Sequence, residues 1–573
     1  MNNLYPIYTL KQECHDCYKC IRECFVKAIK IENGSASVLS DKCIACGRCV
    51  TACPSGAKRV RNDIDKVKAL ISAQKKIYVS LAPTWSGVFE LPVPKMVAIL
   101  KKLGCYAVSE TALGAQEVSI KCAQVLNNAQ NGLFVSSACP VIVDYIKYYR
   151  PEFTDCIVPV ASPALTHARI LKETYGDDIA VLFIGPCIGK KNEADNHPEL
   201  IDAALTFEEL NFWINDEYIK TRELEVDAND KFVPESAFEG ALYPIEGGMN
   251  ETMKKVGLNP DITLINVSSL ESFEKALTGL DKNKIHKKIF VEALACDGGC
   301  INGPCVSTAK STIAITSEIL GKVKYRDEIP QEPKVVVDID YKAQPVRKEE
   351  FSIEEMAEAM KRIGKTLEAD QLNCAGCGYA TCMDLAQALL RGDAEPSMCI
   401  SYMRKTAMKK ASKMLSSMPS AVVMVDKKLN ILEANDAFMR AFCGDMYDIF
   451  AARPEGVMGA ALERLTPFAD VFKTSLKTGT DIHKEHFRYQ NKLYDLNVFT
   501  VEKGEIVGAV ISDVTKMEMD REKIARRARE VITKNIATVQ DIACLLGEHM
   551  VETELLLSSI AEDFDSPTSE EEE

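Results

Sequence analysis

The sequence predicts a multidomain α/β protein, and three observations carry that prediction. The chain has 573 residues, more than one hydrophobic core organises. Between residues 75 and 325, short apolar runs alternate with amphipathic stretches of helical period, the order that builds a sheet with helices on both faces. Beyond about residue 414 the pattern changes to alternating strands joined by turns, an α+β segment closed by a long helical stretch. Hydrophobic residues at 47% and charged residues at 27% are ordinary for a globular protein. A net charge of −14 without a basic stripe argues against nucleic-acid binding. No apolar run is long enough for a membrane span and no leader segment opens the chain, so a cytoplasmic location and no membrane are expected.

The chain holds 22 cysteines, most of them in tight groups. Disulfide frameworks of that density belong to small secreted domains, so the groups point to metal, with zinc as the rival to iron. Spacing favours iron. In residues 1–62, Cys14, Cys17 and Cys20 precede Cys24, and Cys43, Cys46 and Cys49 precede Cys53-Pro54. Both runs have the C-x2-C-x2-C-x3-C spacing of two-cluster ferredoxins, in which the fourth cysteine of each run serves the other cluster. One 4Fe–4S cluster is expected on Cys14, Cys17, Cys20 and Cys53, the other on Cys43, Cys46, Cys49 and Cys24. Residues 25–42 between the runs have room for a helical turn and a hairpin.

In the central region, 75–325, strands are predicted at 77–81, 105–108, 133–135, 180–184 and 289–293, in one sheet. Helices are predicted at 93–103, 116–127 and 164–175. Three strands end in cysteine loops: Ser136-Ser137-Ala138-Cys139-Pro140, Pro186-Cys187-Ile188-Gly189-Lys190-Lys191-Asn192-Glu193, and Glu292-Ala293-Leu294-Ala295-Cys296-Asp297-Gly298-Gly299-Cys300. Loops at strand ends meet at one edge of an α/β sheet, where such folds build their sites.

These three loops resemble the signature segments of the FeFe-hydrogenases, T-S-C-C-P, M-P-C-x-x-K-x-x-E and E-x-M-A-C-x-x-G-C. The likeness takes in Ala82-Pro83-Thr84, Glu110-Thr111, Gly114-Ala115 and the ferredoxin-like domain, and so covers roughly residues 1–325. The resemblance implies that Cys139, Cys187, Cys296 and Cys300 hold the cubane of an H-cluster. Cys300 would also bridge to a two-iron subsite carrying carbonyl, cyanide and dithiolamine ligands. It implies that Lys190 donates to a cyanide and that Glu193 orients Lys190.

The departures shape the functional expectation. Ala138 stands where catalytic members of the family have the proton-relaying cysteine, and a methyl group carries no proton. The helix that supplies relay glutamates offers Cys122 and Val125, with Glu117 its one acidic residue. Gly185 and Leu294 replace two methionines, Ala164 a glutamine, and Cys305 falls in what is usually a glycine-rich turn, with proximity to the two-iron subsite left open. Ligands kept and proton route dismantled are expected of a low-activity hydrogenase of the sensory subclass. The alternatives are a catalytic enzyme with a different proton path, and a redox signalling protein without the two-iron subsite. Cys105, Cys122, Cys156, Cys443 and Cys544 are expected to be packed core thiols.

Residues 326–350 are expected to be an extended linker. Residues 351–405 carry Cys374, Cys377, Cys382 and Cys399 in C-x2-C-x4-C-x16-C spacing, similar to a small 4Fe–4S module, which would bring the further clusters to three. Residues 414–515, with Asn435-Asp436-Ala437-Phe438 and Asp513-Val514-Thr515, resemble a PAS domain whose ligand is not legible; its later strands are predicted at 486–490, 492–499 and 505–513. Residues 516–563 read as a signalling helix with 4-3 apolar spacing, either dimerising or packed on its own domain, and 564–573 as an acidic disordered tail. The expected partners are hydrogen and protons, a ferredoxin-type electron carrier, a regulatory kinase or phosphatase, and a second copy of the chain.

Overall fold

Apolar runs too short for helices form strands, and their chain order decides how those strands pair. The computed structural model describes residues 4–564 except 222, 348 and 453, so the expected tail lies, but for its first residue, outside the described residues. The chain divides into two units, 1–403 and 404–573.

At the start of the first unit, β1 (Ile7–Thr9) pairs antiparallel with β4 (Lys58–Val60), and β2 (Ile29–Glu32) with β3 (Ser35–Val38) makes the expected hairpin. The two cysteine runs fold alike. Left-handed backbone occurs at Asp16 and Tyr18 in one and at Ala45 and Gly47 in the other, followed by the helices Lys19–Glu23 and Arg48–Ala52.

The central region contains two parallel sheets where one was expected. The first has the order β6-β5-β8-β9, with β5 at Ile77–Leu81, β6 at Ala107–Glu110, β8 at Ala180–Gly185 and β9 at Ala203–Thr206. The second has the order β10-β11-β7, with β7 at Gly132–Val135, β10 at Thr263–Ser268 and β11 at Lys288–Leu294. Both are parallel throughout. β9 and β10 escape sequence reading because one is four residues long and the other carries polar Asn266 and Ser268. The helices Ala112–Asn128 and Pro163–Tyr175 pack so closely that a Cβ on Gly114 would lie 2.2 Å from Pro163 O.

The stretch 326–350 differs from the expected linker: it is a strap bound along this region. Val337 is fully buried, and Ala161 N and Ile339 N make backbone bonds to Val337 O (2.7 Å) and Pro159 O (3.3 Å). Gln344 N and Val346 N bond to Lys147 O and Tyr148 O, and Arg326 pairs with the buried Glu239. The apolar side chains Val335 and Val337 pack into the core beneath and help fasten it.

The module after the strap shares one core with the ferredoxin-like domain. Met356, Met360, Leu385 and Met398 pack with Ile21, Ile29 and Ile31. Ile31 N donates to Asp393 O (3.0 Å), Lys42 pairs with Asp393 (2.8 Å), and Asn33 N donates to Glu395 Oε1 (2.7 Å). Gly378, at φ +94°, sits where a Cβ would be 2.8 Å from Ile21 Cγ2.

In the second unit five antiparallel strands run in the order β13-β12-β16-β15-β14: β12 Ala421–Asp426, β13 Ile431–Ala434, β14 Ile482–Tyr489, β15 Lys492–Glu502 and β16 Ile506–Asp513. Asn435 ties the sheet to its approach: its Nδ2 donates to Leu415 O, Met418 O and Ser420 O, and its Oδ1 accepts from Val422 N and Phe438 N. Asp513 accepts from Thr515 N and Oγ1 and pairs with Lys492, which sets the start of the helix Thr515–Phe564. That helix does not lay its apolar stripe on its own unit: Ile532, Ile536, Val539, Leu546, Met550 and Leu557 are all exposed. Cys544, expected in a core, is exposed on the same helix, whereas Cys105, Cys122, Cys156 and Cys443 are buried.

Candidate metal centre

A parallel strand delivers its following loop to the carboxyl edge of its sheet, and here two such edges face one another. The loops after β5, β6 and β8 and those after β7 and β11 enclose a cavity of 100 Å³, whose wall includes Ala138, Cys139, Cys187, Lys190, Tyr243 and Cys300. Ala138 and Cys300, far apart in the sequence, are thereby brought together with Cys187 by the three cysteine loops. Cys296 lies behind the wall among the other sulfurs, within the electrostatic reach of Cys300, Cys187 and Cys139. Gly299, at φ +105°, allows the close turn before Cys300; a Cβ there would be 2.4 Å from Pro244 O.

Burial pushes the Cys187 thiol up to about 11 and lifts Cys139, Cys296 and Cys300 as well, and for Cys187, Cys296 and Cys300 neighbouring cysteines add to the rise. Four thiolates in such a place need a strongly positive partner, and a soft iron cluster suits a sulfur donor set. Among the described residues, Lys190 is the one cation that lines the wall. Its Nζ donates to Glu193 Oε2 at 2.6 Å and to Ser162 Oγ at 3.0 Å, so its direction is fixed. The side of the cavity that lacks the methionines is filled otherwise: a Cβ on Gly185 would be 2.7 Å from the Phe183 ring, which itself lines the cavity with Leu294.

Cys14, Cys17, Cys20 and Cys53 line a separate small cavity. Cys24, Cys43, Cys46 and Cys49 form another mutually interacting set, with Ala28 N and Ala45 N donating to the sulfurs of Cys24 and Cys43. In both groupings the fourth cysteine comes from the other run. Cys374 lies at the surface while Cys377, Cys382 and Cys399 are buried, and Arg22 reaches Gly376 O between them and the ferredoxin-like helix (3.2 Å). The Cys24 set occupies the middle: Lys27 lies within reach of both Cys24 and Cys377, and Cys296 within reach of Cys46. Among the described residues no three His, Cys, Asp or Glu side chains are arranged to grip a single metal ion.

Three features were not read from the sequence. Cys305 does not line the cavity; it is fully buried behind the Cys187 loop, in the core shared with Cys43 and Ile188. Lys191, beside Lys190, is buried and bonds to Asp63 Oδ2 (2.8 Å), Glu209 Oε1 (2.9 Å) and Ala204 O (2.7 Å), clasping the Cys187 loop to the end of the ferredoxin-like domain. Glu292 is buried behind Cys300 and accepts from Met249 N and Asn250 N. Burial outweighs those amides and raises its carboxyl from 4.5 to about 7. The folded protein thus holds that proton more tightly than the unfolded chain. Glu292 therefore favours folding at pH below its ordinary value, and that contribution is lost as pH rises through about 7. Glu292→Gln is expected to flatten the loss, read as a smaller difference in melting temperature between about pH 5.5 and about pH 8.

Comparison with known proteins agrees with this geometry. Residues 75–304 match the family described as iron only hydrogenase large subunit, C-terminal domain; residues 6–54 match a 4Fe-4S dicluster domain and 370–401 an Fe-S cluster family. Iron hydrogenase 1 of Clostridium pasteurianum is 24% identical over 370 residues, 47% of this chain and 64% of that protein. The NADP-reducing hydrogenase subunit HndD of Solidesulfovibrio fructosivorans is 23% identical over 329 residues, 46% of this chain and 55% of that protein. The chain therefore spans under two thirds of either relative's length. A solved variant of the FeFe-hydrogenase HydA1 from Chlamydomonas reinhardtii aligns at 16% identity over 49% of this chain and 100% of that one, with a TM-score of 0.38. No helix among the described residues is long and apolar enough to cross a membrane. The matched segments and the cysteine-lined cavity together identify an iron–sulfur protein built around a hydrogenase-like domain.

Proposed function

We infer that the chain is a sensory FeFe-hydrogenase: hydrogen reacts slowly at an H-cluster, and the redox state passes through three further 4Fe–4S clusters to a PAS output. One observation carries the reading. The cavity keeps Cys139, Cys187, Cys300 and the fixed Lys190, yet presents the methyl of Ala138 where a proton carrier is needed. Cys139, Cys187, Cys296 and Cys300 would hold the cubane, with Cys300 also on the two-iron side. When bound, the cluster supplies the redox and hydrogen-splitting chemistry. The chain's own residues do the rest. Lys190, aimed by Glu193 and Ser162, offers a cation to an anionic ligand; Phe183 and Leu294 exclude water; Ala138 withholds a proton.

Cys24, Cys43, Cys46 and Cys49 would hold the cluster next to this site. Cys14, Cys17, Cys20 and Cys53 would hold one further cluster, and Cys374, Cys377, Cys382 and Cys399 the other. The five-stranded sheet of the second unit, its Asn435 anchor and its Asp513–Thr515 exit support a PAS domain, whose ligand stays unassigned. The exposed 4-3 stripe on the helix Thr515–Phe564 supports pairing with a second copy and delivery of the signal to a kinase or phosphatase in the cytoplasm. Substituting Asp for both Ile536 and Leu546 is expected to convert a dimer to a monomer in sedimentation; an unchanged mass would remove the helix from the interface.

The reading is tested by exposing the matured full-length protein to hydrogen. The expected result is a change of cluster state at low hydrogen pressure with slow steady turnover. Fast turnover would favour a catalytic enzyme, and for that second reading the favouring observation is Glu292, a carboxyl buried behind Cys300 and raised by that burial.

A further inference from the structure

Behind the cavity wall, in the core of the first sheet, lies a polar chain that the function above does not use. His167, Ser80 and Ser109 are all fully buried. His167 Nδ1 is 2.7 Å from Ser80 Oγ, and Nε2 is 2.8 Å from Ser109 Oγ. Ser80 Oγ is in turn 2.8 Å from Thr111 Oγ1. Thr111 is a wall residue of the cavity, together with Ala138, Lys190 and Cys300. Four groups from β5, β6, the turn after β6 and the helix Pro163–Tyr175 thus make one hydrogen-bonded run ending at the site. His167 is held rigidly in that run, since a Cβ on Gly114 would come within 2.7 Å of His167 N.

The hydrogens in this run can be counted. Burial lowers His167 to about 3, so the ring is neutral and carries a single N–H. With the hydrogen on Nε2, His167 donates to Ser109, Ser80 donates to Nδ1, and Thr111 donates to Ser80. The hydrogen of Ser109 then has no acceptor, because among the described residues His167 is the partner of its hydroxyl. With the hydrogen on Nδ1, Ser109 donates to Nε2, Nδ1–H donates to Ser80, and Ser80 donates to Thr111. Every hydrogen is then placed except that of Thr111, which is left for the cavity. Leaving a buried donor unpaired costs about 1–3 kcal/mol, enough to select the second arrangement when an acceptor occupies the cavity, water in the cofactor-free chain or a bound ligand in the loaded one.

We propose that His167 is a positioning residue: through Ser80 it makes Thr111 a hydrogen-bond donor toward an anionic acceptor held in the cavity. The proposal rests on the hydrogenase reading in taking that acceptor to be a metal-bound cyanide. Thr111 would then complement Lys190, so that a neutral donor and a cation both face the same negative ligand set.

Two measurements on the full-length protein test this. In the cofactor-free chain labelled with 15N-histidine, His167 is expected as a neutral ring protonated at Nδ1. Thr111→Val removes the acceptor for Ser80, so that either arrangement leaves one hydroxyl hydrogen unplaced, and is expected to move the hydrogen partly to Nε2, while Thr111→Ser restores Nδ1. In the matured protein, Thr111→Val is expected to shift a cyanide stretch to lower frequency, and Thr111→Ser to return it. A wild-type ring protonated at Nε2, a tautomer indifferent to Thr111→Val, or cyanide bands that do not move would each overturn the proposal. Absence of cyanide bands in the wild type would instead overturn the hydrogenase reading, and the nitrogen shifts would then decide the proposal alone.

Discussion

Replacing Ala138 with cysteine is expected to raise hydrogen turnover of the matured protein by roughly 10²-fold, the lower end of what a positioned acid–base group contributes. The substitution restores a thiol at a wall position beside Cys139 and Cys300, where a methyl group carries nothing. The gain stops there because the helix Ala112–Asn128 offers a poor continuation. Its Glu117 is buried and occupied by Lys334 N at 2.6 Å, and burial raises its Cys122 thiol to about 12, far from a carrier at neutral pH. Stopped assays of hydrogen evolution with a chemical reductant measure the change. No increase, with cluster content unchanged, would show that the slow step lies elsewhere than at Ala138.

Lys191→Met is expected to destabilise the hydrogenase-like region by about 3 kcal/mol, because it leaves the buried Glu209 without its cation and Asp63 with Arg61 alone. Asp63 and Glu209 are almost as buried as the lysine, and Ala204 O also loses its donor. Burial pushes the Asp63 carboxyl up, but Arg61 and Lys191 outweigh it and hold it below the usual range. Its stabilising contribution is therefore present above the ordinary carboxylate value and fades as pH falls, so the penalty of Lys191→Met is expected to shrink in acid. The measurement is local, since the chain has two tryptophans and both, Trp85 and Trp213, are buried in this region's core. Lys220→Met, at a 74% exposed side chain, serves as the neutral comparison. Equal melting of the two variants would contradict the clasp.

What could be read in the sequence was whatever a short stretch carries by itself. The cysteine spacings of residues 14–53 were legible because each run is one tight local loop, and the fold repeats that loop twice. The apolar runs ending at Val135, Gly185 and Leu294 placed three loops at strand ends, and those loops do enclose one cavity. Features that depend on distant neighbours were not legible. The split into two sheets turns on β9 and β10, whose short or polar sequences carry no clear period. Residues 326–350 have a linker's composition, and only the surface offered by Pro159, Ala161 and Tyr148 makes them a strap. Glu292, Lys191 and His167 look like ordinary members of a strand or helix until burial and partners give them their properties.

An H-cluster in the four-cysteine cavity would carry its own infrared signature. The infrared spectrum of the anaerobically matured full-length protein tests for it most directly, with Cys300→Ala alongside. Carbonyl and cyanide bands are expected in the wild type and are expected to be lost in Cys300→Ala, while the iron–sulfur signals of the other cysteine sets persist in both. Iron–sulfur signals without any carbonyl or cyanide band in the wild type would contradict an H-cluster there.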